Sequence, residues 1–108
     1  MNVSKVEEME YLTPTMSGVE NVKMQWLLKG ENFHMRRFVI GGNGKVPMHT
    51  HDWEHEVYVL SGKGRILYLD EKHDVEADSI AFIDGTKPHG FENTGEKDFI
   101  FMCCIPNI

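Results

Sequence analysis

The stretch His49-Thr50-His51-Asp52-Trp53-Glu54-His55 dominates the interpretation of this chain, because it places three of the six histidines within seven residues. Side chains two apart on a strand point to the same face, so His49 and His51 share one face of an extended segment. The three residues before His55 leave room for a bend, and His55 opens an apolar run typical of a new strand. If the two segments lie side by side in one sheet, their imidazoles converge within the roughly 2.0–2.2 Å nitrogen-to-metal distances of a divalent transition ion.

A fourth histidine completes the predicted ligand set. His89 opens another extended run directly after the turn signals of residues 84–88. Isolated histidines such as His34 are more simply explained as solvated or hydrogen-bonded side chains, and His73 lies in the polar sequence 70–74, which we expect to form a solvated turn. The grouped histidines and His89 instead predict a metal site, since imidazole is the commonest protein metal ligand.

Length and charge exclude several classes of function. At 108 residues the chain is expected to form one domain, residues 1–108, with a core that needs no disulfides. Its 11 basic and 17 acidic residues give a formal charge of −6, which argues against a nucleic-acid surface and against an anionic membrane. No stretch resembles a signal peptide or a membrane span. We therefore expect a soluble cytoplasmic protein whose partner is a small molecule.

Short strand-like runs fill most of the chain. They are rich in β-branched and aromatic residues, and glycine-containing or asparagine-containing turn signals separate them. This punctuation predicts an all-β sandwich or barrel. Helix is expected only within Ser4–Leu12, where Ser4 and Glu7 match a capping box. The predicted strands are 23–29, 33–40, 46–51, 55–60, 65–70, 79–84, 89–92 and 98–105.

The last predicted strand carries the run Phe99–Ile105, which lacks polar alternation. Such a run indicates that both faces are covered, one toward a barrel interior and one by a second sheet or subunit. A homodimer would supply that cover, and symmetric dimers are the commonest oligomers. Cys103 and Cys104 should point to opposite faces, so we expect no disulfide between them and one inward thiol, there for packing or beside the metal.

The histidine motif resembles the first motif of the cupin superfamily, small double-stranded β-helix jelly rolls that hold one metal ion inside the barrel. In that motif a glycine precedes HxH, a further ligand follows after three or four residues, and a second glycine closes the motif. Glu is usual at the further ligand, a place that either His55 or Glu56 could fill; the family spacing to the closing glycine favours His55, as in four-histidine cupins. The matching residues are Gly44, His49, His51, His55 and Gly62.

The second cupin motif ends in a histidine ligand followed four residues later by asparagine, which His89 and Asn93 match. Its earlier half departs from the family, because Asp78, Asp84 and Thr86 stand where Gly, Pro and Gly are usual. The resemblance covers residues 33–105, and it implies a jelly-roll barrel with His49, His51, His55 and His89 as metal ligands.

The resemblance also bears on the ion. It favours manganese or iron, although nickel, copper, cobalt and zinc also accept imidazole ligands, with affinity rising toward copper, so one divalent transition ion of unspecified identity is expected. Neutral imidazoles leave the ion its full charge, which should raise its Lewis acidity. Four protein ligands around an ion that prefers six would leave two positions open for substrate.

The alternation of side chains along each strand predicts which residues line the pocket. On residues 33–40, either Arg36 and Phe38 face inward or Met35, Arg37 and Val39 do, and similar cupins favour the first choice. An inward Arg36 would orient a carboxylate or enolate oxygen during catalysis. The same alternation places Phe91 on the face of its strand that carries His89, and Phe101 on the face that carries Cys103. The predicted pocket residues are therefore Phe38, Phe91, Phe101 and Cys103.

Three functions follow from such a site. The first and preferred one is a dioxygenase-type oxidoreductase acting on a small organic molecule. The second is a lyase or isomerase in which the ion acts as a Lewis acid toward an enolate. The third is a non-catalytic module that senses or stores a small ligand.

Overall fold

The computed structural model describes residues 1–108 and consists almost entirely of β-strands. One short 3₁₀ turn, Val6–Glu8, precedes them. The strands are β1 Glu20–Lys29, β2 Phe33–His49, β3 His55–Ser61, β4 Lys63–Tyr68, β5 Glu71–Glu76, β6 Ile80–Ile83, β7 His89–Asn93 and β8 Phe99–Pro106. The prediction of an all-β fold with at most a short helical turn is confirmed.

All eight strands belong to one antiparallel sheet, ordered β5-β4-β7-β2-β8-β3-β6, with β1 paired to β2. The long strand β2 changes partners along its length. Its first half, Phe33–Ile40, pairs with β8, and its second half pairs with β7 from Lys45 to His49. This change of partners curls the sheet into a jelly-roll half-barrel.

Strand β2 unites two predicted strands, 33–40 and 46–51, across a glycine-rich segment that we expected to be a turn. The segment Gly41–Gly44 continues the strand because Asn21 packs against it: the Asn21 side-chain amide donates to the Gly42 carbonyl at 3.1 Å. A Cβ on Gly41 would overlap the Asn21 side chain. Gly41 therefore makes room for the Asn21 side chain, and His51 lies just beyond the strand's end.

The two histidine segments are not neighbours in the sheet, which corrects the side-by-side arrangement considered from the sequence. Strand β8 lies between β2 and β3. The histidines of the first motif therefore meet because the sheet curls and the bend at residues 51–54 brings His55 inward.

Strand β5 was missed, because the sequence predicted a solvated turn around His73. Val75 is the only half-buried residue of β5, and the other five are exposed, so the strand has no apolar pattern to reveal it. It forms through backbone pairing with β4, in which His73 lies opposite Ile66. The predicted solvation of His73 is nonetheless correct.

The N-terminal turn is shorter than the predicted Ser4–Leu12 and is capped one residue later, where the Lys5 amide donates to the Glu8 carboxylate at 3.3 Å. Gln25 of β1, which is fully buried, holds it against the sheet. Its side-chain amide donates to the carbonyls of Val6 and Met9, both at 3.0 Å.

The core lies on the concave face of the sheet. In β8 the side chains from Phe99 to Ile105 alternate between buried and half-buried, so the outward face is only partly covered within the chain. Cys103 is fully buried, Cys104 is half-buried, and both thiols are free, as predicted. No helix is long and apolar enough to cross a membrane.

Candidate metal centre

Three of the predicted ligands converge at one end of the barrel. His49 ends β2, His51 follows it in the bend, and His89 begins β7 directly opposite His49 in the strand register. One side-chain nitrogen from each of the three lies within 4.8 Å of the others. Such a cluster of nitrogen donors has the dimensions that a bound transition metal requires.

Backbone carbonyls fix the tautomer of each of these rings. Nδ1 of His49, His51 and His89 lies 2.8 Å from the carbonyl oxygens of Pro47, Trp53 and Lys87, respectively. A carbonyl oxygen only accepts hydrogen bonds, so each Nδ1 carries the proton and donates. The three Nε2 atoms are therefore free of protons in the neutral rings, as metal ligation needs.

The arrangement of these lone pairs calls for a cation. Nε2 of His51 lies 3.1 Å from Nε2 of His89, and in the neutral rings neither atom has a proton to donate to the other. A proton does not supply that charge at neutral pH, because burial and the neighbouring His89 lower the pKa of His51 to about 4, and burial lowers the pKa of His89. A divalent transition ion fits this set of neutral imidazoles.

His55 lies against this cluster at the start of β3. Its Nε2 is 2.8 Å from Nε2 of His51, while its Nδ1 is buried without a hydrogen-bond partner. Burial, followed by the Arg36 guanidinium, lowers the pKa of His55 to about 2. Strand parity turns Glu56 to the exposed face, away from the histidines. His55 is thus the inward residue of the pair, although it is not among the three donors within 4.8 Å of one another.

The turn before β7 positions His51. The His51 amide donates to the Gly85 carbonyl at 2.8 Å, and a Cβ on Gly85 would overlap the His51 ring and the Trp53 carbonyl. Asp84, at the usual proline place, shapes this turn by accepting hydrogen bonds from the Thr86 amide at 3.0 Å and hydroxyl at 2.7 Å. The turn therefore stays defined although Asp84 and Thr86 replace the proline and glycine that are usual in the family.

A second departure also preserves the backbone. Asp78 stands where the family has glycine, and its φ of 71° lies in the left-handed region that glycine favours. Aspartate tolerates this region better than most residues. Its carboxylate accepts a hydrogen bond from the Tyr58 hydroxyl at 2.7 Å, which also raises the pKa of Tyr58.

A cavity of about 270 Å³ adjoins the histidines, with His49 and His55 in its wall. The predicted residues Arg36, Phe38, Phe91 and Phe101 line it. Cys103 does not line it; its fully buried side chain lies beside Arg36, its partner in the strand register, and burial raises the pKa of its thiol.

The two possible faces of residues 33–40 are therefore resolved. Arg36 and Phe38 face the cavity, whereas Arg37 lies on the other face and donates to the Gln25 side-chain oxygen at 2.8 Å.

Arg36 is a cation without an acidic partner. It forms no salt bridge, and its Nε is buried without a hydrogen-bond acceptor. Instead, its guanidinium carbon lies 5.0 Å, 5.2 Å and 5.6 Å from the ring centroids of Phe38, Trp53 and Trp26. Aromatic faces stabilise a guanidinium but do not neutralise its charge as a carboxylate would. The site is therefore suited to an anionic ligand.

Sequence reasoning missed several residues of the site. Trp53 stacks on His51, with ring centroids 3.6 Å apart and an interplanar angle of 11°, and its carbonyl fixes the His51 tautomer. It lies in a bend, where strand parity gives no direction. The missed residues that line the cavity are Pro14, Thr15, Met16, Met24, Val46 and Trp53.

Comparison with known proteins agrees with this geometry. Residues 36–105 match the cupin domain family model. An oxalate-binding protein from Thermotoga maritima is 31% identical over 104 residues, covering 89% of this chain and 84% of the relative.

Solved structures extend the likeness over the whole chain. The polyketide cyclase RemF from Streptomyces resistomycificus superposes with a TM-score of 0.93 at 24% identity, covering 100% of this chain and 80% of RemF. A predicted oxalate decarboxylase from Thermotoga maritima superposes with a TM-score of 0.85 at 25% identity, covering 99% of this chain and 100% of that structure. The match to the family model, together with the curated relative, establishes that this chain belongs to the cupin domain family.

Proposed function

We propose that this cupin is a metal-dependent enzyme acting on a small organic molecule that carries a negatively charged oxygen. One observation carries the proposal. Three histidine nitrogens, freed of protons by backbone carbonyls, lie within 4.8 Å of one another beside a cavity whose arginine has no acidic partner. Such a site offers a metal ion and a fixed positive charge to the same ligand.

We assign His55 as the fourth ligand, which places the chain in the four-histidine subgroup. Its Nε2 faces the proton-free Nε2 of His51 and has no other protein partner than this cluster. A cation that attracts both nitrogens would satisfy them together. Glu56 lies on the exposed face and is a poor alternative.

The residues of this site have three separate roles: metal binding, substrate orientation and exclusion of water. A divalent ion held by neutral imidazoles alone keeps its full charge, so when bound it supplies Lewis acidity toward a substrate oxygen. Arg36 binds and orients the anionic oxygen through its guanidinium, which has no carboxylate partner in the chain. Phe38, Phe91 and Phe101 exclude water from the cavity, which strengthens both electrostatic interactions.

Our first candidate for the reaction is a dioxygenase-type oxidation, which needs a redox-active ion such as manganese or iron. A metal-dependent lyase is the second candidate. Decarboxylases are lyases, and the predicted oxalate decarboxylase is similar to the chain over nearly its whole length. The oxalate-binding relative favours an anionic substrate in either case.

Metal analysis of protein purified without a histidine tag, followed by turnover assays, tests the proposal. We expect about one divalent ion per chain. Oxygen consumption with enol or phenol substrates would support the oxidation, and carbon dioxide release without oxygen uptake would support the lyase. Absence of bound metal after reconstitution would overturn the metal assignment, and tight ligand binding without turnover would make the protein a sensor or carrier.

We also propose a homodimer formed by the outer faces of β3, β6 and β8. Tyr58 lies between Ile80 and Met102 in the strand register, and Phe82 lies beside Glu56 on the same face. Ile80 and Phe82 are 76% and 64% exposed, and contiguous apolar surface of this kind is typical of interfaces. Light scattering should give twice the chain mass, and Phe82→Asp should reduce it, whereas the exposed Leu69→Asp should not. A monomeric wild-type protein would refute the dimer.

A further inference from the structure

The cavity beside the histidines is large for the smallest organic acids. Its volume is about 270 Å³. An apolar cavity of about 150 Å³ accommodates benzene, a molecule of six non-hydrogen atoms. A two-carbon dicarboxylate such as oxalate has the same number of non-hydrogen atoms and would leave much of the space unfilled. The volume suits a ligand of up to two fused rings.

The walls suit a flat, apolar ligand. Phe101 lies between Phe38 and Phe91, with centroid distances of 5.2 Å and 4.6 Å and interplanar angles of 14° and 24°. These rings stack on one another and together form an apolar wall on one side of the cavity. A small dianion would lose hydration against the phenylalanine rings, which offer it no hydrogen bonds, and only Arg36 would compensate for that loss.

The charge of the cavity suits a single negative oxygen in addition to any contact with the metal. Arg36 is the only lysine or arginine in the wall, and no aspartate or glutamate lines it. The Arg36 guanidinium borders the cavity and has no carboxylate partner, so an anionic oxygen there would accept a charge-assisted hydrogen bond that no acidic side chain of the chain accepts.

A separate segment forms one side of the cavity. Pro14, Thr15 and Met16 form part of the wall, although they precede the barrel strands. The segment is anchored by the backbone pairing of Leu12 with Met24, whose two hydrogen bonds are both 2.8 Å long. Met16 itself is unbranched and adaptable, and such side chains suit contact with a ring.

We propose that this cavity selects planar aromatic monoanions of one or two fused rings, with the anionic oxygen on Arg36 and the rings between the phenylalanine wall and Met16. The proposal narrows the substrate class of the proposed function and rests on it for the site. Binding of such a molecule does not itself require turnover, so the two can fail separately.

Isothermal titration calorimetry with 2-naphthoate, benzoate and oxalate tests the selection on zinc-loaded and metal-free protein. We expect 2-naphthoate to bind the zinc-loaded protein at least about tenfold more tightly than oxalate, and benzoate to be intermediate. On metal-free protein, measurable naphthoate binding should persist through Arg36 and the rings. Tighter binding of oxalate than of naphthoate would overturn the proposal, as would the absence of any naphthoate binding.

A size-filling variant sharpens the test. Met16→Trp should weaken 2-naphthoate binding at least about tenfold while changing benzoate binding by no more than about threefold. Met48→Trp, at an exposed methionine outside the cavity wall, is the matched control and should change neither. Unaltered naphthoate affinity in Met16→Trp would refute the role of this wall. Naphthoate binding without turnover of any substrate would refute the proposed enzyme and leave the proposed selection of aromatic anions intact. Turnover of aliphatic acids alone would support the enzyme and refute the selection of aromatic anions.

Discussion

The proposed metal end of the barrel, which carries Arg36 and the four clustered histidines, and the edge formed by β4 and β5 both contain arginine and histidine. The two regions differ in whether these side chains have partners. At the edge, Arg65 forms salt bridges with Asp74 at 2.9 Å and Glu92 at 3.2 Å, and the exposed His73 lies 2.8 Å from the Glu71 carboxylate. At the metal end, Arg36 has no acidic partner.

The histidines there differ from His73 in the same way. His89 is fully buried and donates to a backbone carbonyl. Side chains at the edge are satisfied by their neighbours, whereas those at the metal end leave an electron pair or a proton donor unused. The comparison teaches that unsatisfied groups, more than residue type, mark the functional end of this molecule.

The largest contrast should be between His51→Ala and His73→Ala. Loss of His51 removes one of the three converging nitrogens, so metal affinity should fall by about a hundredfold or more, since even indirect partners of a metal contribute 10–100-fold. His73→Ala and His34→Ala should retain the ion. Competition with a chromophoric chelator measures all three, and equal affinities would remove the distinction between the two regions.

A smaller effect is expected from the neighbouring pair at the start of β3. His55→Gln should lower metal affinity by roughly tenfold to a hundredfold, because His55 is inward and contacts His51. Glu56→Gln changes an exposed side chain and should have no effect. The same chelator competition compares them, and the opposite result would make Glu56 the ligand.

The two arginines provide a third contrast. Arg36→Met should weaken binding of an aromatic carboxylate about tenfold, since one charge-assisted hydrogen bond is lost. Arg65→Met should leave that affinity unchanged, because Arg65 lies outside the cavity and already has two carboxylate partners. Calorimetry with 2-naphthoate measures both, and equal losses would show that the cavity does not use Arg36.

The smallest effect concerns the metal-free protein and pH. In the folded chain the pKa of His51 is lowered to about 4, below the ordinary 6.5 that it regains on unfolding. The unfolded state therefore binds more protons between these values, so stability is fully present above about pH 6.5 and decreases as pH falls toward 4. Urea unfolding at pH 7.5 and pH 5 should differ by on the order of 1 kcal/mol, after discounting for solvent screening.

A matched variant identifies the source of that dependence. His51→Asn should make the decrease shallower without abolishing it, because the lowered pKa values of His55 and His89 contribute to the same dependence, whereas His73→Asn should leave it as in the wild type. An unfolding free energy that is independent of pH in the metal-free wild-type protein would contradict the lowered pKa of His51.

Much of the fold was predictable because buried and exposed side chains alternate along a half-buried strand with a period of two. That period gave the inward faces of β3 and β8, and with the cupin motif it selected the histidines. It gave nothing for β5, where five of six residues are exposed, and nothing for Trp53, which lies in a bend. The wall formed by Pro14–Met16 depends on contacts between distant parts of the chain, which no local pattern records.

The carbonyl oxygens that orient His49, His51 and His89 belong to the main chain, and this affects how such a site can evolve. A carboxylate partner can be lost by one codon change, but a backbone oxygen persists whatever side chain is attached. The side chains of Pro47 and Lys87 can therefore vary without loss of these hydrogen bonds, and new cavity walls can arise while the imidazoles keep their orientation. Divergence of substrate range within this architecture then needs no redesign of the metal ligands.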